Sequence, residues 1–186
     1  MIPMKLIIVR HGETVANTKR IIQGRESNKL TEKGKDQAKE AGRHLKKHKI
    51  DMVFCSPLDR CVETLENIMT ECEIEGEIFM SNLIEERFMG EYVGSNLDMV
   101  DWKEIDEDNK INREMGVESL VDFRKRVELF LEDLKLEEGE KTVLVVSHAG
   151  PIEIMVDKIT GKEMEIKNAQ VIELDYETSL DFDYSK

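Results

Sequence analysis

Apolar and polar positions fall into short alternating blocks along the 186-residue chain. Leu6-Ile7-Ile8-Val9 is an uninterrupted apolar run bounded by Gly12, the pattern of a buried strand. Thr31 with Gly34 opens a segment in which Ala38, Ala41 and Leu45 recur at i, i+3 and i+7 among lysines, one face of a helix. Met52-Val53-Phe54-Cys55 predicts a second strand. It stops at Ser56-Pro57, which reads as an N-cap followed by proline at the first helical position, so a helix is expected to about Glu71. Ile78-Phe79-Met80 is a weaker third strand, and residues 82–98 read as a glycine- and asparagine-punctuated loop. From Glu118 to Leu136, the positions Leu120, Val121, Phe123, Val127, Phe130, Leu131 and Leu134 keep helical spacing. Thr142 to Val146 is the clearest strand and ends at Ser147-His148; Pro151 then starts a helix, and Val171-Ile172-Glu173-Leu174 makes a last strand. From Tyr176 the chain turns acidic and polar and reads as a partly disordered tail.

Strands alternating with helices predict an α/β fold, a three-layer α/β/α sandwich around a mainly parallel sheet. Ligands of such folds bind beyond the carboxyl ends of the strands. His11, Ser56-Pro57 and His148 all fall just past such an end. Three strand ends are therefore expected to bring Arg10, His11, Arg60 and His148 to one crevice. Arginine's planar fork suits phosphate oxygens, and helix N-termini near residues 57 and 151 add positive field. A neutral imidazole, well populated near its unperturbed pKa of ~6.5, can act as a nucleophile. A phosphoryl group is the expected guest.

Composition narrows the partners. Lys and Arg number 27 against 40 Asp and Glu, a net charge of −13. This argues against nucleic acid or anionic membranes, which need clustered positive charge, but leaves room for a small anionic substrate in a locally cationic pocket. Cys55, Cys61 and Cys72 lack metal-type spacing and read as reduced thiols of a cytoplasmic protein. The apolar run in "MIPMKLIIVRHGE" is too short for a signal-peptide core, and no window nears the ~18 apolar residues of a membrane span. One domain is expected over residues 1–175, with 82–116 as substrate loop or lid and 176–186 as the acidic tail. Oligomeric state is left open, since no exposed apolar stripe stands out.

"VRHGET", with Asn17 and Gln23-Gly24 downstream, then "LTEKGKDQAKEAG", "CSPLDRCVET", "LIEERFMGEYVG" and "VVSHAG", occur in order over nearly the whole chain. In this set the sequence resembles the histidine phosphatase superfamily, the phosphoglycerate-mutase-like proteins. The resemblance implies that His11 attacks phosphorus and becomes a transient phosphohistidine. It also implies that Arg10, Asn17, Arg60 and His148 hold the phosphoryl oxygens and their transition-state charge, while Gln23 and Gly24 line the pocket. The family's general acid lies four residues before a glycine, which selects Glu86 over Glu85 by counting back from Gly90. Glu86 then protonates the leaving oxygen and later activates water, a double duty suited to a partly desolvated site. Neither metal nor cofactor is implied, and the expected partner is a small phosphorylated metabolite.

Some of these residues admit other readings. His44 and His48 stand at i and i+4, a spacing that can bind metal, but among lysines they read as a solvated basic face. Cys61 beside Arg60 lacks a following phosphate loop and reads as packing, and Met89 and Trp102 as core or lid. Ala149 replaces a frequent glycine, Glu153 stands where many relatives have arginine, and Val93 replaces a usual acidic residue. These departures bear on substrate choice. Cofactor-dependent mutases resemble longer chains with a larger insertion, whereas here residues 95–146 hold only Arg113, Arg124 and Arg126, which favours hydrolysis. Arg87 suits a second acidic group of a substrate and keeps phosphoglycerate mutase as the alternative. A non-catalytic phospho-ligand-binding module would lack a catalytic residue, and none is missing.

Overall fold

The computed structural model describes residues 3–136 and 140–177. Its strands are β1 (Pro3–Arg10), β2 (Met52–Cys55), β3 (Glu77–Met80), β4 (Thr142–Ser147) and β5 (Val171–Glu177), in the sheet order β3-β2-β4-β1-β5. β3, β2, β4 and β1 are mutually parallel, and β5 runs antiparallel to β1 at the edge. The helices are α1 (Val15–Thr18), α2 (Glu32–Leu45), α3 (Asp59–Met69), α4 (Trp102–Asp106), α5 (Lys110–Glu114), α6 (Leu120–Lys135) and α7 (Ala149–Thr160).

The expected three-layer α/β/α architecture is present, and its two cores explain the apolar runs. Leu6, Ile8, Val143 and Val145 pack with α6 and α7. Ile7, Val9, Leu144 and Val146 point the other way and pack with α2 and α3. Strands covered on both faces have no polar side to show, so alternation disappears. Among the described residues no helix is long and apolar enough to cross a membrane.

Several local expectations need correction. α3 begins at Asp59 with Leu58 at its N-cap and no side-chain cap bond. Ser56 stands two residues before that N-cap, its Oγ accepting from the Leu58 amide at 3.4 Å and lying 2.7 Å from His148 Nε2. α7 starts two residues before Pro151, with His148 at the N-cap position. Val121 lies off the buried stripe of α6 and is exposed. His44 and His48 are no simple solvated face: both Nε2 atoms meet Glu173 Oε1, at 2.9 and 3.2 Å, and Lys5 and Lys47 pair with the same carboxylate. β5 continues to Glu177, beyond the expected start of the tail; residues 178–186 lie outside the described ones. The segment 82–118 carries α4, α5 and short 3-10 turns at Asn82–Ile84 and Gly90–Tyr92. It closes a small third core of Ile22, Met89, Ile105 and Val117 beside the sheet's carboxyl end.

The first turn of α2 positions the end of β1. Thr31 caps it by accepting from the Gly34 amide at 2.9 Å, as its sequence suggests. A Cβ at Gly34 would stand 2.1 Å from the Glu13 carbonyl, and one at Gly12 would stand 2.4 Å from the Gly34 carbonyl. Backbone therefore rests on backbone directly beside His11. Gly34→Ala is expected to destabilise the fold by about 1–3 kcal/mol through overpacking and to slow turnover by shifting Gly12. Thermal unfolding and phosphate release measure both effects; an unchanged Tm and rate would show that this contact is not needed.

Candidate active site

β2, β4 and β1 are neighbours, so the side chains just past their ends converge. The ladder runs on beyond the strands: the His11 amide donates to the Ser147 carbonyl at 2.9 Å, and the Ser56 amide to Val146 at 3.0 Å. The imidazole rings of His11 and His148 meet edge to face, 5.3 Å between centroids at 61°. Arg10, His11, Asn17, Gln23, Gly24, Arg60, Glu86 and Arg87 line one cavity of about 370 Å³ under the 82–118 segment.

His11 is almost fully buried, and its Nδ1 lies 2.8 Å from its neighbour Gly12's carbonyl. That contact requires Nδ1–H and leaves Nε2 with a free lone pair. No hydrogen bond among the described residues engages Nε2. Burial, then the fields of Arg60 and Arg10, hold the imidazole well below the usual histidine pKa. His11 is thus neutral at ordinary pH.

Arg60 is buried beside it. Its Nε donates to His148 Nδ1 at 3.1 Å, Nη1 to the Glu26 carbonyl at 3.0 Å and Nη2 to the Gly24 carbonyl at 2.7 Å. His148 must therefore carry its proton on Nε2 and donate it to Ser56 Oγ. Its pKa is also held low, by burial first and Arg60 next. Both nitrogens of His148 are thus engaged inside the protein, one by Arg60 and one by Ser56, where the resemblance implies a contact with the phosphoryl oxygens. Arg10 donates through Nη1 to the Ile166 carbonyl, while its buried Nε has no partner. A donor left unpaired in this way costs about 1–3 kcal/mol, which an anion in the cavity would offset.

Asn17 Oδ1 accepts from the Thr14 amide and hydroxyl, both at 3.0 Å, which leaves the Asn17 NH2 for the cavity, and Gln23 places its amide 3.0 Å from the same Thr14 Oγ1. Asn168 Nδ2 adds bonds to Asn17 Oδ1 and to the His11 carbonyl, at 3.2 and 3.1 Å, and Thr64 Oγ1 accepts from the Gly12 amide at 3.0 Å. Sequence reasoning missed Ser56, Thr64 and Asn168 as supports. Thr64 sits one turn after Arg60 and was detectable on that helix face; nothing in the sequence marked Asn168.

The two adjacent glutamates separate cleanly. Glu85 forms an ion pair with Arg25 at 3.1 Å, whereas Glu86 lines the cavity and its Oε1 accepts from the Arg87 amide at 2.9 Å. Arg126 and Arg25 hold this segment by donating to the Glu86 carbonyl at 3.0 and 3.1 Å. Gly150 makes room for the carboxyl: a Cβ there would lie 2.6 Å from Glu86 Oε1. Arg87 lines the cavity but is tied down by Glu118, Asp106 and Ile105. These bonds fasten the 102–118 segment to the cavity wall.

Residues 6–181 match the family model of the histidine phosphatase superfamily, branch 1. The chain belongs to this superfamily. A Hydrogenobacter thermophilus protein named phosphoserine phosphatase 1 is 33% identical over 171 residues, covering 87% of this chain and 78% of its own length. A Schizosaccharomyces pombe protein described as a probable phosphatase is 32% identical over 154 residues, 82% of this chain and 71% of its own. The crystal structure of a phosphoglycerate mutase from Bacillus anthracis superposes with a TM-score of 0.81 at 21% identity, covering 95% of this chain and 89% of that one. The relatives of this histidine phosphatase thus include proteins described as phosphatases and others described as probable phosphoglycerate mutases.

Proposed function

We propose that this histidine phosphatase is a metal-independent phosphomonoesterase working through a phosphohistidine on His11. The observation that carries the reading is a neutral His11, its Nε2 free, flanked by Arg10 and Arg60 in a closed-over cavity. Nε2 attacks phosphorus as the P–O ester bond breaks. Arg10, Arg60, and the amides of Asn17 and Gln23 receive the charge on the equatorial oxygens. Glu86 is the proton donor to the departing alkoxide. The resulting carboxylate takes a proton from water as that water's oxygen attacks phosphorus, the P–N bond breaks, and neutral His11 returns. His148 serves as a positioning residue that orients Arg60.

The mutase alternative loses its main support in Arg87, whose guanidinium is spent on Asp106, Glu118 and Ile105. Small phosphomonoesters fit the 370 Å³ cavity, and the Hydrogenobacter relative's name points to one of that kind. In excess chelator the protein is expected to release phosphate from an aryl phosphate and from small alkyl phosphates. Primer-dependent conversion of 3-phosphoglycerate to 2-phosphoglycerate, with no phosphate release, would replace hydrolysis by transfer.

A further inference from the structure

The catalytic cavity opens into a second hollow of about 630 Å³, and Asp106, Phe123, Gly150 and Glu153 line both. The phosphoryl chemistry sits at the smaller, inner end, where His11 is. The outer wall adds Asp157, Glu163 and Glu165. Asp106 is paired with Arg87 and Asp157 with Arg124. Among the described residues Glu153, Glu163 and Glu165 have no ion-pair partner within 4.0 Å. The path away from His11 therefore runs from two arginines toward carboxylates that lack a direct ion pair, with Arg124 of the same wall held by Asp157.

Glu153 sits where the two ends meet. It follows Gly150 by one turn of α7, so it lies on the helix face that Gly150 turns to Glu86. Its carboxyl is open to the hollow, yet the protein around it removes part of its water. That loss, with the field of Glu86 and a smaller one from Glu165, pushes it up to about 7, against the opposing pull of Arg10. Keeping a second carboxylate here works against itself unless a cation arrives with the ligand. A carboxylate or second phosphate would be repelled beside Glu153, so a substrate that carries one has to turn it away from that side chain.

We infer that the preferred substrates are phosphomonoesters whose alcohol part carries an ammonium group, received by Glu153 while His11 and the arginines take the phosphoryl group. The acidic wall does not stand alone: buried His11, with its unpartnered Nε2 in the same cavity, fixes the phosphoryl end and hence the direction of the rest. The inference rests on the phosphomonoesterase reading above.

The test compares 2-aminoethyl phosphate with 2-hydroxyethyl phosphate, an aryl phosphate serving as the reference, for wild type and Glu153→Gln. Wild type is expected to favour the ammonium ester in kcat/KM by about tenfold, the ratio one charge-assisted hydrogen bond sustains. Glu153→Gln should bring that ratio near one. In wild type the ratio should rise as pH passes through about 7, because Glu153 attracts the cation only when ionised, while the ammonium, like that of lysine at ~10.4, stays charged. Hydrolysis of both esters with no ammonium preference, or a preference that Glu153→Gln leaves intact, overturns the inference and leaves the phosphatase standing. No hydrolysis of any ester overturns both.

Discussion

His11→Ala is expected to lower phosphate release by on the order of 10⁴-fold or more while the protein stays folded. The loss is large because the chemistry has one lone pair to work with. Nδ1 is committed to the Gly12 carbonyl, and only Nε2 remains for phosphorus. Cys61, the other nucleophilic side chain nearby, cannot substitute: burial raises its thiol well above its ordinary pKa, so no thiolate is available. Folding survives because the ring makes a single side-chain hydrogen bond, and the two cores lie elsewhere. Circular dichroism and phosphate release on the same preparation check both parts. Turnover near wild type in a folded variant would remove His11 from the reaction.

Glu86→Gln carries the next largest effect. Glutamine keeps the shape and the oxygen that accepts from the Arg87 amide, so the substitution isolates the proton. For esters of poor leaving alcohols kcat/KM should fall about 10²- to 10⁴-fold, the usual scale of general acid catalysis. An aryl phosphate needs no proton to depart, so its kcat/KM should change far less. Its second step still needs a base, and the variant should show a burst of phenol followed by slow turnover. Glu85→Gln should cost under about tenfold, since that side chain only pairs with partly exposed Arg25. Equal losses for good and poor leaving groups would take the acid role from Glu86, and a larger loss at Glu85 would move the register by one.

Much of this is legible in the sequence. β1 and β4 could be read because both their faces are buried, which turns a strand into an unbroken apolar run. The meeting of Arg10, His11 and Arg60 followed from the rule that parallel sheets present their strand ends on one side. Glu86 was not legible from spacing; only the family resemblance chose it among the chain's 40 acidic residues.

The misreadings share a physical cause. Ser56-Pro57 has the local chemistry of a helix cap, but the hydroxyl also meets a partner 92 positions away, His148. The pairing of Arg87 with Asp106, 19 positions on, has no local signature either. Helices α4 and α5 are five residues each, held by the caps Asp101 and Asn109 with too few turns to show a periodic face. Long-range hydrogen bonds leave no periodic trace in sequence. Glu153 carries no local signal beyond standing where an arginine is commoner; the adjoining acidic hollow gives it its meaning.

The central claim is that phosphorus passes through His11. Rapid acid-free quenching of wild type with a ³²P-labelled aryl phosphate, in excess chelator, tests it most directly. The account predicts a transient, acid-labile phosphoenzyme whose label maps to the peptide containing His11. Phosphate release at full rate with no label on His11, or an acid-stable label on another residue, would contradict it.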